Sequence, residues 1–153
     1  MKQVLLLATD FSPASEPAAR RALEMARSEA VPLLIANVLE TPVPFSPDGY
    51  VLPRVYDEMA AAVRAEAEKR MQKMLARARK AGVRAKGLLL RGAPHEAIVR
   101  AARSHRASRL ILGTHGRRGF SRLFLGSVAA RVVASASCPV LVVPAGARAR
   151  RSS

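Results

Sequence analysis

Short runs of apolar residues alternate with longer stretches of helical period along the whole chain. Each run spans five to nine residues, a length and composition typical of strands that are covered on both faces. The runs are Val4–Ala8, Val31–Leu39, Val83–Leu90, Ser108–Leu112 and Pro139–Val143. Because parallel strands need long crossover connections, the alternation predicts a single-domain α/β fold with a doubly wound, five-stranded parallel sheet and helices on both faces.

Helical signals fill the connections between these runs. The predicted helices run from Ser12 or Ser15 to about Glu29, from Arg54 to Ala81, from Pro94 onward and from Ser127 onward. Serine side chains cap helix starts, proline suits a first turn, and a glycine such as Gly82 ends a helix. The second helix carries a long apolar stripe at three- and four-residue steps: Val55, Met59, Val63, Ala67, Met71, Met74 and Ala78.

The composition indicates one domain with an aliphatic core. Of 153 residues, 50% are hydrophobic and only 4% aromatic, so the core must consist mainly of Ala, Val, Leu and Ile. We predict a domain over residues 1–145 and a disordered basic tail over residues 146–153. No apolar run has the length of a membrane span, and Asp10 interrupts the apolar start before any signal-peptide cleavage pattern. The single cysteine, Cys138, cannot form an internal disulfide, so we expect a buried thiol in a cytoplasmic protein.

The charge balance favours anionic partners. Lys and Arg number 26 against 11 Asp and Glu, a net charge of +15, which suits nucleotides, nucleic acids or acidic protein surfaces. Much of this charge is scattered along the second predicted helix, where Glu66 and Glu68 interleave with basic residues. That pattern is typical of a solvated helix face, and the four Phe and two Tyr form no base-stacking platform. Nucleic acid is therefore the less favoured partner.

A glycine-rich loop follows the fourth apolar run. Gly113, Gly116 and Gly126 have the spacing Gly-x2-Gly-x9-Gly, and Ser127 follows. Glycine lets backbone amides approach an anion closely, and a helix start adds unpaired amides, so strand, loop and helix together predict a phosphate-binding cradle. The loop lacks the Lys of a P-loop, and its first two glycines are too far apart for the dinucleotide fingerprint. The alternative is structural: Gly113 ends a strand, the loop lies on the surface and Ser127 caps a helix.

Asp10 lies at the end of the first apolar run. The carboxyl ends of parallel strands meet at one edge of the sheet, so the segments Ala8–Asp10 and Gly113–Gly116 should face one crevice. There Asp10 could accept a hydrogen bond from a ribose hydroxyl or an adenine amine, or hold a metal through water. The alternative role for Asp10 is an Asx-type cap on the turn at Ser12.

The chain from Val4 to Pro144 resembles the universal stress protein family. The landmarks that carry the resemblance are, in order, ATDFSP, RGAPHEAIVRAA, LILGTHGRRGF, LGSVAARVV and CPVLVVP. The resemblance implies the strand order 3-2-1-4-5 and, in the branch with this glycine motif, binding of ATP with or without Mg²⁺. It also implies a homodimer formed through the last strand, Pro139–Val143.

By the same resemblance, two groups of residues would surround the nucleotide. Asp10 and Val38, with Ala8 and Thr9 beside them, would border the adenosine. The ribose and phosphates would lie against Gly113, Thr114, His115, Gly116, Gly126, Ser127 and Val128. Arg117 and Arg118 raise the charge of the loop, and we predict that at least one reaches a β- or γ-phosphate; the alternative is that both stay hydrated.

The chain departs from the family pattern at two positions near the predicted adenine. Asn37 stands where many members have His, and Ala8 replaces a frequent Pro or Val. Neither change touches phosphate binding.

Three classes of function remain open from the sequence. We expect an ATP-binding regulator of stress or signalling, without catalytic residues, because a His such as His115 in a glycine loop more often contacts nucleotide or backbone than acts as a base. The second class is a slow ATPase. The third is a basic module on the same fold that binds nucleic acid or an acidic partner. A response-regulator receiver is excluded, because Leu88–Arg91 offers no phosphorylatable Asp after the third strand.

Overall fold

The five apolar runs pair as strands in a computed structural model of the chain, which describes residues 3–43, 49, 52–115 and 125–146. The strands are β1 (Leu5–Ala8), β2 (Leu33–Val38), β3 (Ala85–Leu90), β4 (Arg109–Gly113) and β5 (Val140–Val143). Within the described residues they form one five-stranded parallel sheet in the order β3-β2-β1-β4-β5, which confirms the predicted fold class and strand order. The predictions for Gly116, Arg117, Arg118 and residues 147–153 of the tail fall outside the described residues.

Helices cover both faces of the sheet. They are α1 (Glu16–Ser28), α2 (Pro53–Lys80), α3 (Pro94–Ser104) and α4 (Ser127–Ser135), with a short 3₁₀ turn at Pro13–Ser15 before α1. Helices α1 and α2 pack with Leu5, Leu7 and Ile35 on one face, and α3 and α4 pack with Leu6 and Ala36 on the other. Successive residues of β1 therefore point into opposite cores, which is why all four of its residues are buried.

The central strand β1 aligns the exits of its neighbours. Its last residue, Ala8, pairs with Ala36 of β2 on one side and with Leu112 of β4 on the other. The chain therefore leaves β1 and β4 side by side, at the same edge of the sheet. This arrangement confirms that the segment after Ala8 and the start of the glycine loop at Gly113 are neighbours.

Local hydrogen bonds set two helix boundaries. Ser12, rather than Ser15, caps the 3₁₀ turn, because its Oγ accepts a hydrogen bond from the Ser15 amide at 3.3 Å. At the end of α2, Gly82 adopts a left-handed conformation with a φ of +74°, which a side chain would strain. The amide of Val83 then donates to the carbonyl of Ala78 at 2.9 Å. The predicted stop at Gly82 is confirmed.

The apolar stripe of α2 is buried only over the second half of the helix. The buried members are the later ones, Ala67, Met71, Met74 and Ala78. Val55 is 40% exposed, and Met59 and Val63 are also partly exposed. A helix of 28 residues is about 42 Å long, whereas β3, on which it packs, has six residues and spans about 20 Å. The first half of α2 therefore extends past the sheet, and periodicity shows which face of a helix is apolar but not how far its partner reaches.

Candidate functional site at the carboxyl edge of the sheet

The turn that leaves β1 is fixed by side chains of its own residues. Thr9 Oγ1 accepts a hydrogen bond from the amide of Phe11 at 3.0 Å, and Asp10 Oδ1 accepts one from the amide of Ser12 at 2.9 Å. Phe11 has a φ of 59°, a left-handed conformation that a bulky residue rarely adopts. The Asx-type role of Asp10, which the sequence left as an alternative, is therefore present, and one of its carboxylate oxygens is held by the turn.

Asn37 braces the same turn from the neighbouring strand. Its Nδ2 donates to the carbonyl oxygen of Thr9 at 2.9 Å, and its side chain is buried at 7% exposure. The amide of Thr9 in turn donates to the carbonyl of Ala36 at 2.9 Å. The departure from the family pattern at Asn37 thus has a structural role, because the side chain supplies a donor to a buried carbonyl that would otherwise lack one.

Gly126 allows the chain to return closely to the end of β4. The amide of Gly126 donates to the carbonyl oxygen of Thr114 at 2.8 Å, and the amide of Thr114 donates to the carbonyl of Val143 at 3.1 Å. A Cβ at Gly126 would lie 2.8 Å from the same Thr114 oxygen, closer than real side chains approach. At Gly113 a Cβ would meet backbone atoms of His115, Ala14 and Ser15 at 3.4 to 3.5 Å. A Cβ at Gly126 would therefore force the backbone to shift, whereas a Cβ at Gly113 would make ordinary van der Waals contacts.

The first turn of α4 presents backbone amides at this edge. Gly126 occupies the cap position, where it has no side chain to offer, and its carbonyl accepts the first helical hydrogen bond from Ala130 at 2.9 Å. The amides of Ser127, Val128 and Ala129 consequently have no partner within the helix, and the described residues supply none from outside it. Ser127 lies inside the helix, so the alternative reading in which it caps α4 is wrong. The amides of Thr114 and Gly126 are used by the fold, and the anion-binding capacity rests on the first turn of α4.

His115 packs against this helix start. Its Nδ1 lies 3.0 Å from Thr114 Oγ1, and its Cδ2 lies 3.8 Å from the position that a Cβ of Gly126 would occupy. Its Nε2 is inaccessible to solvent and has no hydrogen-bond partner among the described residues. Because a buried polar atom without a partner is costly, this nitrogen is a group that a ligand at the edge could satisfy.

The predicted contact residues divide between the two faces of the sheet. Ala8 and Val38 pack on the face that α3 and α4 cover, and Ser127 and Val128 begin α4 on that face. Thr9 points to the other face, where its Oγ1 lies 3.0 Å from Ser15 Oγ and its side chain is 7% exposed. Ala8 and Val38, predicted to border the adenosine, and the start of α4, predicted to contact the phosphates, thus lie at the same edge of the sheet. The Thr9 hydroxyl is instead hydrogen-bonded within the turn that follows β1.

The chain matches a known family over nearly its whole length. Residues 1–144 match the model of the universal stress protein family. The chain belongs to this family. A universal stress protein of Thermus aquaticus is 37% identical over 144 residues, covering 94% of this chain and 99% of the relative.

Solved structures of the family have the same fold. The universal stress protein UspA of Lactobacillus plantarum superposes with a TM-score of 0.81 at 24% identity, covering 93% of this chain and 97% of that one. A universal stress protein in complex with cAMP superposes with a TM-score of 0.68 at 25% identity, covering 95% of this chain and 98% of that one.

Two features of the described residues bear on other kinds of site. None of the described helices is both long and apolar enough to cross a membrane. Nor do the described residues contain a group of three or more His, Cys, Asp or Glu side chains placed to hold a metal ion.

Proposed function

We propose that this universal stress protein binds ATP at the carboxyl edge of its sheet and acts as a nucleotide-dependent regulator of stress or signalling. The observation that carries the proposal is the first turn of α4, which has no side-chain cap and follows Gly126, where a Cβ would push against the Thr114 carbonyl oxygen. An anion placed there would accept hydrogen bonds from the amides and gain from the positive end of the helix.

Each group of site residues has a role in this proposal. The amides of Ser127, Val128 and Ala129 would hold phosphate oxygens, while Val38 and Ala8 would border the adenosine from the sheet side. Asp10 would accept a hydrogen bond from the ribose or the adenine amine. Arg117 and Arg118 would neutralise the β- and γ-phosphates, with Mg²⁺ sharing that charge if it accompanies ATP.

Two further observations support a nucleotide as the ligand. A family member of the same fold has been solved in complex with cAMP, an adenine nucleotide. The chain also carries a net charge of +15, which attracts anions to its surface.

A glycine pair tests the cradle. Gly126→Val places a side chain against the Thr114 oxygen, whereas Gly146→Val adds the same groups where nothing lies within 4 Å. We expect wild type and Gly146→Val to bind ATP alike in calorimetric titration, and Gly126→Val to bind on the order of tenfold more weakly or not at all. Circular dichroism of each variant checks that it is folded.

Nucleotide released from the purified protein identifies the natural ligand. Denatured wild-type protein is expected to release an adenine nucleotide, and titrations with AMP, cAMP and ATP rank the affinities. Equal ATP affinity in folded Gly126→Val and wild type would show that the first turn of α4 does not bind the phosphates. A wild type that neither releases nor binds any of the three nucleotides would overturn the proposed function as a whole.

We also propose that the protein forms a homodimer through Pro139–Val143. Strand β5 pairs with β4 on one side, and within the described residues its other edge has no paired strand. An apolar strand edge is a template for pairing with a second copy. Light scattering on the same purified samples would measure the mass of the particle.

A further inference from the structure

A groove lies between α2 and the turn that joins β1 to α1. It encloses about 370 Å³, within the range of small-molecule sites. Phe11 and Met74 contribute apolar walls, and Lys69, Lys73 and Arg77 line it from α2. We call it the α1–α2 groove.

The α1–α2 groove lies on the opposite face of the sheet from the proposed nucleotide cradle. Met74 and Phe11 pack with the core beneath α1 and α2, whereas Ala8 and Val38 pack with the core beneath α3 and α4. Of the residues predicted to contact nucleotide, Thr9 alone lines the groove among the described residues, and its hydroxyl already bonds within the turn. An occupant of this groove would therefore be a second ligand.

Two lysines give the α1–α2 groove an excess of positive charge. Arg77 is paired across the groove with Glu16 at 2.7 Å, and Arg70 is paired along the helix with Glu66 at 2.7 Å. Lys69 and Lys73 have no ion pair with any described carboxylate. The hydrogen bond from Arg70 holds the pKa of Glu66 below its ordinary value, and the charges of Lys69 and Lys73 act in the same direction.

The lysines form part of a column of like charges, which is unusual on this helix. Lys69, Lys73 and Arg77 follow one another at four-residue steps, a spacing at which like charges repel. Elsewhere α2 places an acid at that spacing, as in the pair Arg64 and Glu68 at 2.8 Å. The helix dipole does not account for Lys69, because it lies well before the last turn. An anion between Lys69 and Lys73 would relieve this repulsion.

The remaining walls favour a ligand with an apolar body. The hydroxyls of Thr9, Ser12 and Ser15 are engaged with one another and with the backbone of the turn. They leave Phe11 and Met74 as the main contact surface away from the lysines. The groove thus combines an apolar wall with a cationic rim.

We propose that the α1–α2 groove is a second binding site, which takes a small organic anion with an aromatic or aliphatic body and places its acid group between Lys69 and Lys73. The site does not depend on the nucleotide cradle. It differs from a mononucleotide site in offering few free hydrogen-bonding groups beside its charge.

A matched pair of dyes and a matched pair of variants test this site. Anilinonaphthalene sulfonate has an aromatic body and an acid group, and N-phenylnaphthylamine has nearly the same body without the charge. We expect Lys69→Ala/Lys73→Ala to weaken the sulfonate on the order of tenfold while changing the neutral dye by less than about twofold. The control Lys80→Ala/Lys86→Ala removes the same charge from exposed positions outside the groove and should leave both dyes unchanged.

The titration is run on Gly126→Val, the variant in which the nucleotide cradle is blocked, so that failure of the two proposals can be told apart. Retained sulfonate binding there, with amide shifts in nuclear magnetic resonance spectra confined to residues 11–15 and 69–74, supports the groove. The proposed site would be overturned if the sulfonate binds Lys69→Ala/Lys73→Ala as tightly as the parent variant, or if both double variants lose the same sulfonate affinity. Amide shifts that map outside the groove would also overturn it.

Discussion

The hydrogen bond from Asn37 to Thr9 predicts a measurable loss of stability when it is removed. Asn37→Leu keeps a branched side chain of similar size but leaves the Thr9 carbonyl without its donor at 2.9 Å. Because the site is buried, an unsatisfied carbonyl is expected to lower the free energy of unfolding by about 1–3 kcal/mol. For a chain of 153 residues this corresponds to a fall in Tm of roughly 3–10 °C.

Asn37→His provides the matched control. An imidazole N–H can donate a hydrogen bond to the same carbonyl oxygen. We therefore expect this variant to stay within about 1 kcal/mol of wild type in urea denaturation. If Asn37→Leu unfolds at the same urea concentration as wild type, the hydrogen bond from Asn37 to Thr9 does not contribute to the free energy of unfolding.

Two further predictions concern the core. Met71→Ala should lower the free energy of unfolding by about 2–5 kcal/mol, because Met71 lies on the buried face of α2 at 4% exposure, whereas Met59→Ala on the same helix should cost less than about 1 kcal/mol. Similar losses for the two variants in urea denaturation would contradict the described extent of the core. The Cys138 thiol is only partly buried, rather than buried as the sequence predicted. This partial burial raises the pKa of the thiol, although a backbone hydrogen bond at Leu110 opposes the shift. Iodoacetamide at pH about 8 should therefore react more slowly with folded protein than with a free cysteine thiol, and equal rates would refute the raised pKa.

Much of the fold could be predicted from the sequence because the strands are short, apolar and separated by helices. The glycine spacing also identified one position with a steric demand, since a Cβ at Gly126 would meet the Thr114 carbonyl oxygen. Other features depend on contacts between distant segments. Asn37 and Thr9 are 28 residues apart, and no local pattern indicates that one holds the carbonyl of the other.

The α1–α2 groove could not be predicted from the sequence for a related reason. On the sequence, Lys69 and Lys73 belong to a helix whose charges alternate in sign, which favours a solvated face. The groove exists only because the turn at Phe11 packs opposite that helix face. The choice between Ser12 and Ser15 as a cap likewise needed the geometry of the turn, because either serine satisfies the sequence pattern.

The length of α2 beyond the sheet has a consequence for local unfolding. Its first turns are held mainly by their own backbone hydrogen bonds and by exposed ion pairs such as Arg54 with Glu58. Its last turns contribute Met74 and Ala78 to the core. Short isolated helical segments are marginal in water. Amide protons before Ala67 should therefore exchange with solvent by fraying, while those after it exchange only when the domain opens.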